Sequence, residues 1–206
     1  MINTEWYTVR ALTLPATAIA LLCAFVLVWL ILRLQFSKKM SEQYADAIFT
    51  FILVWKFSLL VTDFKAVIAQ PISLLYFNGG TIGIFLGVLA ASWQVWRKRD
   101  KAFEIKAYSW SIILTQSIYQ WLVILLNDNP VKSEVITLTV LSLLTLFILW
   151  KLTALKQALL LYTVGFIIVA LFQPLGVWQT AVGVNLLLLC LGIAIQYKQH
   201  DVGGKA

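Results

Sequence analysis

Seven apolar stretches, each long enough to cross or nearly cross a bilayer, fill almost the whole of this 206-residue chain. A helix needs roughly 20 apolar residues to cross a hydrocarbon core of about 30 Å, and backbone groups in lipid must be hydrogen-bonded within the span. The stretches therefore predict seven transmembrane helices. Their predicted bounds are Leu12–Leu32, Ala45–Val61, Gly79–Trp96, Ala107–Leu126, Val135–Trp150, Ala158–Phe172 and Trp178–Ile195.

The charge content excludes an ordinary soluble protein. Charged residues make up 12% of the chain, about half of the roughly 25% that is typical of soluble domains. The longest polar break runs from Arg97 to Lys106. It is rich in basic residues and too short to form a domain. The sequence thus predicts an all-α, polytopic membrane protein in which residues 1–206 form a single seven-helix domain.

The distribution of basic residues predicts the orientation. Of the 16 Lys and Arg residues, twelve fall in one set of loops, three in the opposite set, and Lys56 within a span. Because cytoplasmic loops are enriched in Lys and Arg, the N-terminus is predicted outside and the C-terminus in the cytoplasm. Residues 62–78 are predicted to lie outside as a short amphipathic element. The net charge of +7 follows from this asymmetry and requires no nucleic-acid partner.

The usual catalytic residue types are almost absent. The one histidine, His200, lies in the predicted cytoplasmic tail, and the two cysteines, Cys23 and Cys190, lie near the middle of the first and last spans. Two thiols could cycle through a disulfide, although a thiol in apolar surroundings is inert. No metal-ligand cluster, Ser-His-Asp set or phosphate-binding loop is visible, so the sequence predicts no metal and no cofactor.

Polar residues inside the predicted spans are the main functional signal, because they are unfavourable in lipid. Lys56, Gln120, Asn185 and the segment Asn78-Gly79-Gly80 are all predicted at a similar depth in the outer half of the membrane. A lysine at that depth suits a phospholipid phosphate. The alternative is that Lys56 extends to the outer surface along its aliphatic chain, while the two amides join neighbouring helices.

The glycines at the start of the third span also have two interpretations. A helix N-terminus with glycines exposes amide donors to an anion, and Gly79 and Gly80 occupy that position. The spacing of Gly79, Gly83 and Gly87 is equally typical of close packing between helices.

In this context, the chain resembles the prolipoprotein diacylglyceryl transferase family. These bacterial seven-helix membrane enzymes transfer diacylglyceryl from phosphatidylglycerol to a lipoprotein cysteine. The segment from Asn78 to Gly83 is similar to the family's His-Gly-Gly-Leu-Ile-Gly signature at the start of the third helix. Lys56 stands where the family has an arginine, and Tyr162 matches the tyrosine of Gly-Tyr-Gly-x-x-Arg. A basic loop, Arg97-Lys98-Arg99, follows the third helix, and Asn129-Pro130 is similar to the family's His-Pro.

The departures from the family pattern affect its chemistry. The signature histidine is Asn78 here, and the arginine of the sixth helix is Phe166. The fourth span lacks the family's Arg-x-x-Asn pair, and the external region after it shrinks to residues 127–130. Transfer needs a base near the thiol and cations near the phosphate. The resemblance therefore implies a family member that has lost the reaction, and no catalytic residue is assigned.

The resulting expectation is a multi-pass protein of the bacterial plasma membrane that binds a phospholipid, phosphatidylglycerol by resemblance, or a lipid-modified peptide from the outer leaflet. Its predicted lipid-binding residues are Lys56, Asn78, Gly79, Gly80 and Tyr162. Two alternatives stay open at this point. One is an active transferase of the family type. The other is a membrane subunit with a membrane or lipoprotein partner, or a thiol-disulfide electron carrier that serves a thioredoxin-like protein through Cys23 and Cys190.

Overall fold

The computed structural model describes residues 5–9, 12–70, 79–98, 105–151 and 154–203, and it is about 86% helical. Two short strands come first, β1 (Trp6–Val9) and β2 (Leu12–Pro15). The helices, in chain order, are α1 (Ala16–Gln35), α2 (Lys38–Phe57), α3 (Leu59–Thr62), α4 (Phe64–Ala69), α5 (Gly80–Lys98), α6 (Ile105–Leu125), α7 (Val131–Lys151), α8 (Leu155–Ala170) and α9 (Thr180–Gly203). The all-α class predicted from the sequence is confirmed.

The described helices include three segments that are long and apolar enough to cross a membrane: Ala16–Gln35, Lys38–Thr62 and Val131–Lys151. Two shorter apolar helices, Leu155–Ala170 and Thr180–Ala194, accompany them. Many large apolar side chains on these helices are exposed, including Phe49, Leu143 and Phe147. Length, composition and exposed apolar surface together identify a membrane protein.

The predicted start of the first helix is wrong. The prediction began it at Leu12, but Leu12–Pro15 forms β2 and the helix begins at Ala16. Proline has no N–H and restricts the residue before it to extended conformations, so Pro15 separates strand from helix. The strands are antiparallel, with Trp6 opposite Pro15, and the Ala16 amide donates to the Glu5 carbonyl at 2.8 Å.

Other predicted boundaries differ as well, and the second helix begins at Lys38 instead of Ala45. The last helix continues to Gly203, beyond the predicted end at Ile195. The predicted external segment 62–78 contains the short helix α4, and its second half, residues 71–78, lies outside the described residues.

The helices form two compact units. The first unit, Met1–Ser37 with Glu104–Ala206, contains the strand pair, α1 and α6–α9. In it, α6 contacts α1, α7, α8 and α9. Helix α1 presents fully buried Ala16, Ala20 and Ala24, small residues that allow close backbone approach. The buried side of α6 carries the polar residues Ser109, Ser117 and Gln120.

The second unit, Lys38–Phe103, is a helical pair in which α2 packs along α5. The Lys98 ammonium lies 2.8 Å from the Asp46 carboxylate, and the Thr50 hydroxyl contacts the Gln94 amide. These contacts join the C-terminal end of α5 to the first half of α2. The opposite end of the pair is joined by glycines.

Candidate functional site

The glycines at the start of α5 pack against the last turns of α2. The Gly79 amide donates to the Trp55 carbonyl at 3.1 Å. A Cβ atom added at Gly83 would lie 3.1 Å from the Trp55 carbonyl oxygen, and one at Gly87 would lie 3.0 Å from that of Phe51. Both distances are shorter than an ordinary van der Waals contact, so Gly79, Gly83 and Gly87 let the two backbones approach. The Gly79 amide, predicted as an anion donor, is hydrogen-bonded to protein.

Gly80 differs from these three glycines. Its φ angle is +56°, a left-handed conformation that other residues adopt with strain. An added Cβ would meet no heavy atom within 4 Å, and the residue is exposed. Among the described residues, none would therefore contact a side chain at Gly80. Asn78 lies outside the described residues.

Lys56 is in the last turn of α2 and is half-buried. The carbonyl that accepts the Gly79 amide belongs to the Trp55–Lys56 peptide bond, so Lys56 lies level with the start of α5. Successive helical residues are separated by about 100°. Because Trp55 faces the glycines, the Lys56 side chain leaves α2 about 100° around the helix from the α2–α5 contact. Asp63, one residue beyond α3, is exposed.

Tyr162 belongs to the first unit, whereas Lys56 and Gly80 belong to the second. It is 1% exposed, and the Ser117 hydroxyl donates to its oxygen at 3.0 Å. The Ser117 and Thr145 hydroxyl oxygens lie 2.7 Å apart. Hydrogen bonds between the hydroxyl groups of these three residues join α6, α7 and α8. Ser117 and Thr145 were not predicted as site residues, although hydroxyl residues inside apolar spans are visible in the sequence.

Phe166, at the position where the family has an arginine, is fully buried. Its ring stacks on Tyr162, with centroids 6.3 Å apart and an interplanar angle of 13°. A guanidinium at this point would be surrounded by apolar and hydroxyl groups. An apolar side chain therefore suits this buried position. Phe166 supplies no cation of the kind that the arginine provides in the family.

The remaining sequence candidates are separate from this hydroxyl cluster. Asn185 is buried and donates to the Ala181 carbonyl of its own helix at 3.0 Å, and Gln120 is buried on α6. Cys23 and Cys190 are free thiols, both exposed on their helices. His200 lies in α9, and its side chain is not described. Among the described residues, no group of three or more His, Cys, Asp or Glu side chains could hold a metal ion.

A hydrogen-bond network that was not predicted from the sequence connects Glu5 and Tyr7 to the C-terminal end of α6. The side-chain oxygen of Asn127 accepts a hydrogen bond from the Glu5 amide at 3.0 Å. The side-chain nitrogen of Asn127 donates to the Val123 carbonyl oxygen at 2.7 Å. The Tyr7 hydroxyl donates to Leu126 O at 2.9 Å. Desolvation, then the hydrogen bond and charge of Glu5, raise the pKa of the Tyr7 hydroxyl from its ordinary value. Carbonyls at a helix C-terminus lack helical partners, and this network satisfies two of them.

The known proteins offer no relative on which to base these assignments. No family model matches the sequence, and no curated protein or solved structure shows a significant similarity to it. The resemblance to the diacylglyceryl transferases therefore rests on the residues quoted above.

Proposed function

We propose that this chain is a multi-pass protein of the bacterial plasma membrane that binds an anionic phospholipid, or a lipid-modified peptide, from the outer leaflet. In this proposal it crosses the membrane seven times, with the N-terminus outside and the C-terminus in the cytoplasm. It belongs to the diacylglyceryl-transferase type and lacks the transferase reaction. The headgroup phosphate binds at the level of Lys56 and the start of α5, where the family signature resembles Asn78 to Gly83.

The observation that carries the proposal is that the half-buried Lys56 lies level with the start of α5. At that start, a Cβ added at Gly80 would meet no heavy atom within 4 Å. The N-terminus of a helix carries a partial positive charge. An ammonium group at the same level adds a full positive charge. Together they form a surface for an anion inside an apolar protein, and a phospholipid headgroup is the anion that reaches such a depth from the side.

The loss of transferase activity is supported by the surroundings of Phe166 and Tyr162. Phe166 is fully buried against Tyr162, and the Tyr162 oxygen accepts a hydrogen bond from Ser117. Neither side chain presents a cation to a phosphate leaving group. A contact between Tyr162 and lipid stays a prediction, and the proposed headgroup contacts are those of Lys56 and the α5 N-terminus.

Native mass spectrometry of the detergent-solubilised protein tests the proposal. Lys56→Met should abolish the retention of phosphatidylglycerol, and Lys56→Arg should keep part of it, because the guanidinium keeps the charge. Lys65→Met is the matched control, since Lys65 is an exposed lysine of the same unit, and it should retain lipid like the wild type. Equal retention by the wild type and Lys56→Met would refute the headgroup site. Lys56 would then be a lysine that extends to the membrane surface.

A further inference from the structure

The turn between α8 and α9, residues 171–179, has an apolar outer surface. Its large apolar side chains are exposed, and Trp178 is 93% exposed. The exposed side chains of the turn are Leu171, Phe172, Leu175, Val177 and Trp178. This surface continues an exposed stripe along α8 formed by Leu160, Val164 and Ile168. The turn therefore extends the apolar surface of the helix instead of ending it.

The side-chain amides of the turn are hydrogen-bonded to protein. The Gln173 amide donates to the Thr137 hydroxyl of α7 at 3.1 Å. The Gln179 amide donates to the Gln173 side-chain oxygen at 2.6 Å and to Gly176 O at 3.0 Å. The backbone amides of Leu171, Phe172, Gln173 and Gly176 are all hydrogen-bonded to carbonyls of α8 or of the turn. Apolar groups outside and satisfied polar groups inside are what a segment surrounded by lipid requires.

The contact with Thr137 gives the depth of the turn. Thr137 is six residues after Val131, the first residue of α7, which corresponds to about 9 Å along the helix. The charged residues Lys132 and Glu134 lie nearer the start of α7 than Thr137. Helix α8 has 16 residues and is about 24 Å long, shorter than a hydrocarbon core of about 30 Å. The turn thus lies below the level of the charges at the start of α7.

The charge distribution agrees with this depth. Between Lys156 and Lys198 the sequence contains no Asp, Glu, Lys or Arg. The turn between α6 and α7, at the same end of the unit, contains Asp128, which is exposed. An aqueous turn normally carries such polar side chains, whereas the α8–α9 turn carries none that is charged.

We propose that residues 171–179 lie below the lipid phosphates, in contact with acyl chains. Helices α8 and α9 then form a hairpin whose turn lies inside the hydrocarbon region of one leaflet and does not reach the membrane surface. The partner of this surface is the phospholipid bilayer. The proposal is independent of the headgroup site, because it concerns only the first unit. It replaces the sixth and seventh crossings of the proposed topology with a hairpin that enters and leaves on the same side, so the loop between the two helices has no aqueous exposure and the C-terminus stays on the proposed side.

Spin-label accessibility in lipid nanodiscs tests the depth of the turn. Single cysteines replace Leu175 or Trp178 in a protein that carries Cys23→Ser and Cys190→Ser. Both positions are exposed, so the label displaces no packed side chain. Asp128→Cys in the same background is the aqueous reference, and a protein that keeps only Cys23, which is exposed in the middle of α1, is the bilayer reference.

The measured quantity is the ratio of collisions with oxygen, which partitions into lipid, to collisions with a water-soluble nickel complex. At positions 175 and 178 the ratio should be several-fold above that at position 128 and close to that at Cys23. A ratio equal to that at position 128 would show an aqueous turn and overturn the proposal. Low collision rates with both reagents would show that protein covers the turn, which would also overturn it.

Discussion

The hydroxyl cluster of Ser117, Thr145 and Tyr162 yields a quantitative prediction about what holds α6, α7 and α8 together. Tyr162→Phe removes one hydroxyl but keeps the ring on Phe166, and Ser117 still has Thr145 at 2.7 Å. Hydrogen bonds between membrane helices contribute about 0.6 kcal/mol on average. We therefore expect Tyr162→Phe to lower the free energy of unfolding by about 0.6 kcal/mol.

Ser117→Ala should be more harmful, because Ser117 is the partner of both other hydroxyls. It removes two hydrogen bonds and leaves two oxygens buried without that partner, and each such group carries a penalty of about 1–3 kcal/mol when nothing replaces the bond. Thr145 can turn its hydroxyl to a carbonyl of its own helix, so most of the loss falls on Tyr162. The expected loss is about 2 kcal/mol.

The double variant Ser117→Ala/Tyr162→Phe distinguishes this explanation from lost packing. It removes the stranded phenol, so its destabilisation should be smaller than the sum of the two single values by about 1 kcal/mol. Reversible unfolding in mixed micelles of mild detergent and dodecyl sulfate, followed by circular dichroism, measures all three values. Additive effects, or a Tyr162→Phe loss equal to that of Ser117→Ala, would refute the reasoning.

Three further predictions concern topology, activity and helix packing. An impermeant maleimide should label a cysteine introduced at Asp128 in intact cells and one introduced at Lys106 only after permeabilisation, because the basic loops are predicted to be cytoplasmic; labelling of both in intact cells would contradict the orientation. Expression in cells depleted of their own diacylglyceryl transferase should not restore lipoprotein maturation, and mass shifts on lipoproteins would show that the family residues were misaligned. Gly87→Ala should destabilise the α2–α5 pair by about 1–3 kcal/mol, because its Cβ would lie 3.0 Å from the Phe51 carbonyl. Gly165→Ala, whose Cβ would have three atoms of the flexible Leu144 side chain as its nearest neighbours, should cost less in the same unfolding measurement.

The helices could be predicted from the sequence because lipid imposes their length and their composition. Their exact starts could not, since an apolar run does not reveal where a strand precedes a helix. Trp6, Thr8 and Val9 are residue types that favour strands, and Pro15 is a helix-start signal. Both signals were hidden by the apolar stretch that continues through Leu12 and Leu14.

The candidate site was predictable in part, for a physical reason. The glycine spacing indicated either an anion site or close packing, and only coordinates separate the two: Gly83 and Gly87 contact α2, whereas Gly80 faces open space. The cluster around Tyr162 could not be predicted, because it depends on the relative register of three helices. Register is set by packing at many positions and has no local sequence signal.

The contact between the first strand and the end of α6 has a consequence for the order of assembly. The hydrogen bond from Glu5 to Asn127 joins residues 122 positions apart. At a synthesis rate of 5–20 residues per second, Asn127 emerges about 6 to 24 s after Glu5. During that interval α2 and α5, which are both made before α6, can already pair, while Ala16, Ala20 and Ala24 of α1 have no α6 to pack against. The first helix to be made therefore waits a long time for its helical neighbour, and the bilayer must hold it in the meantime.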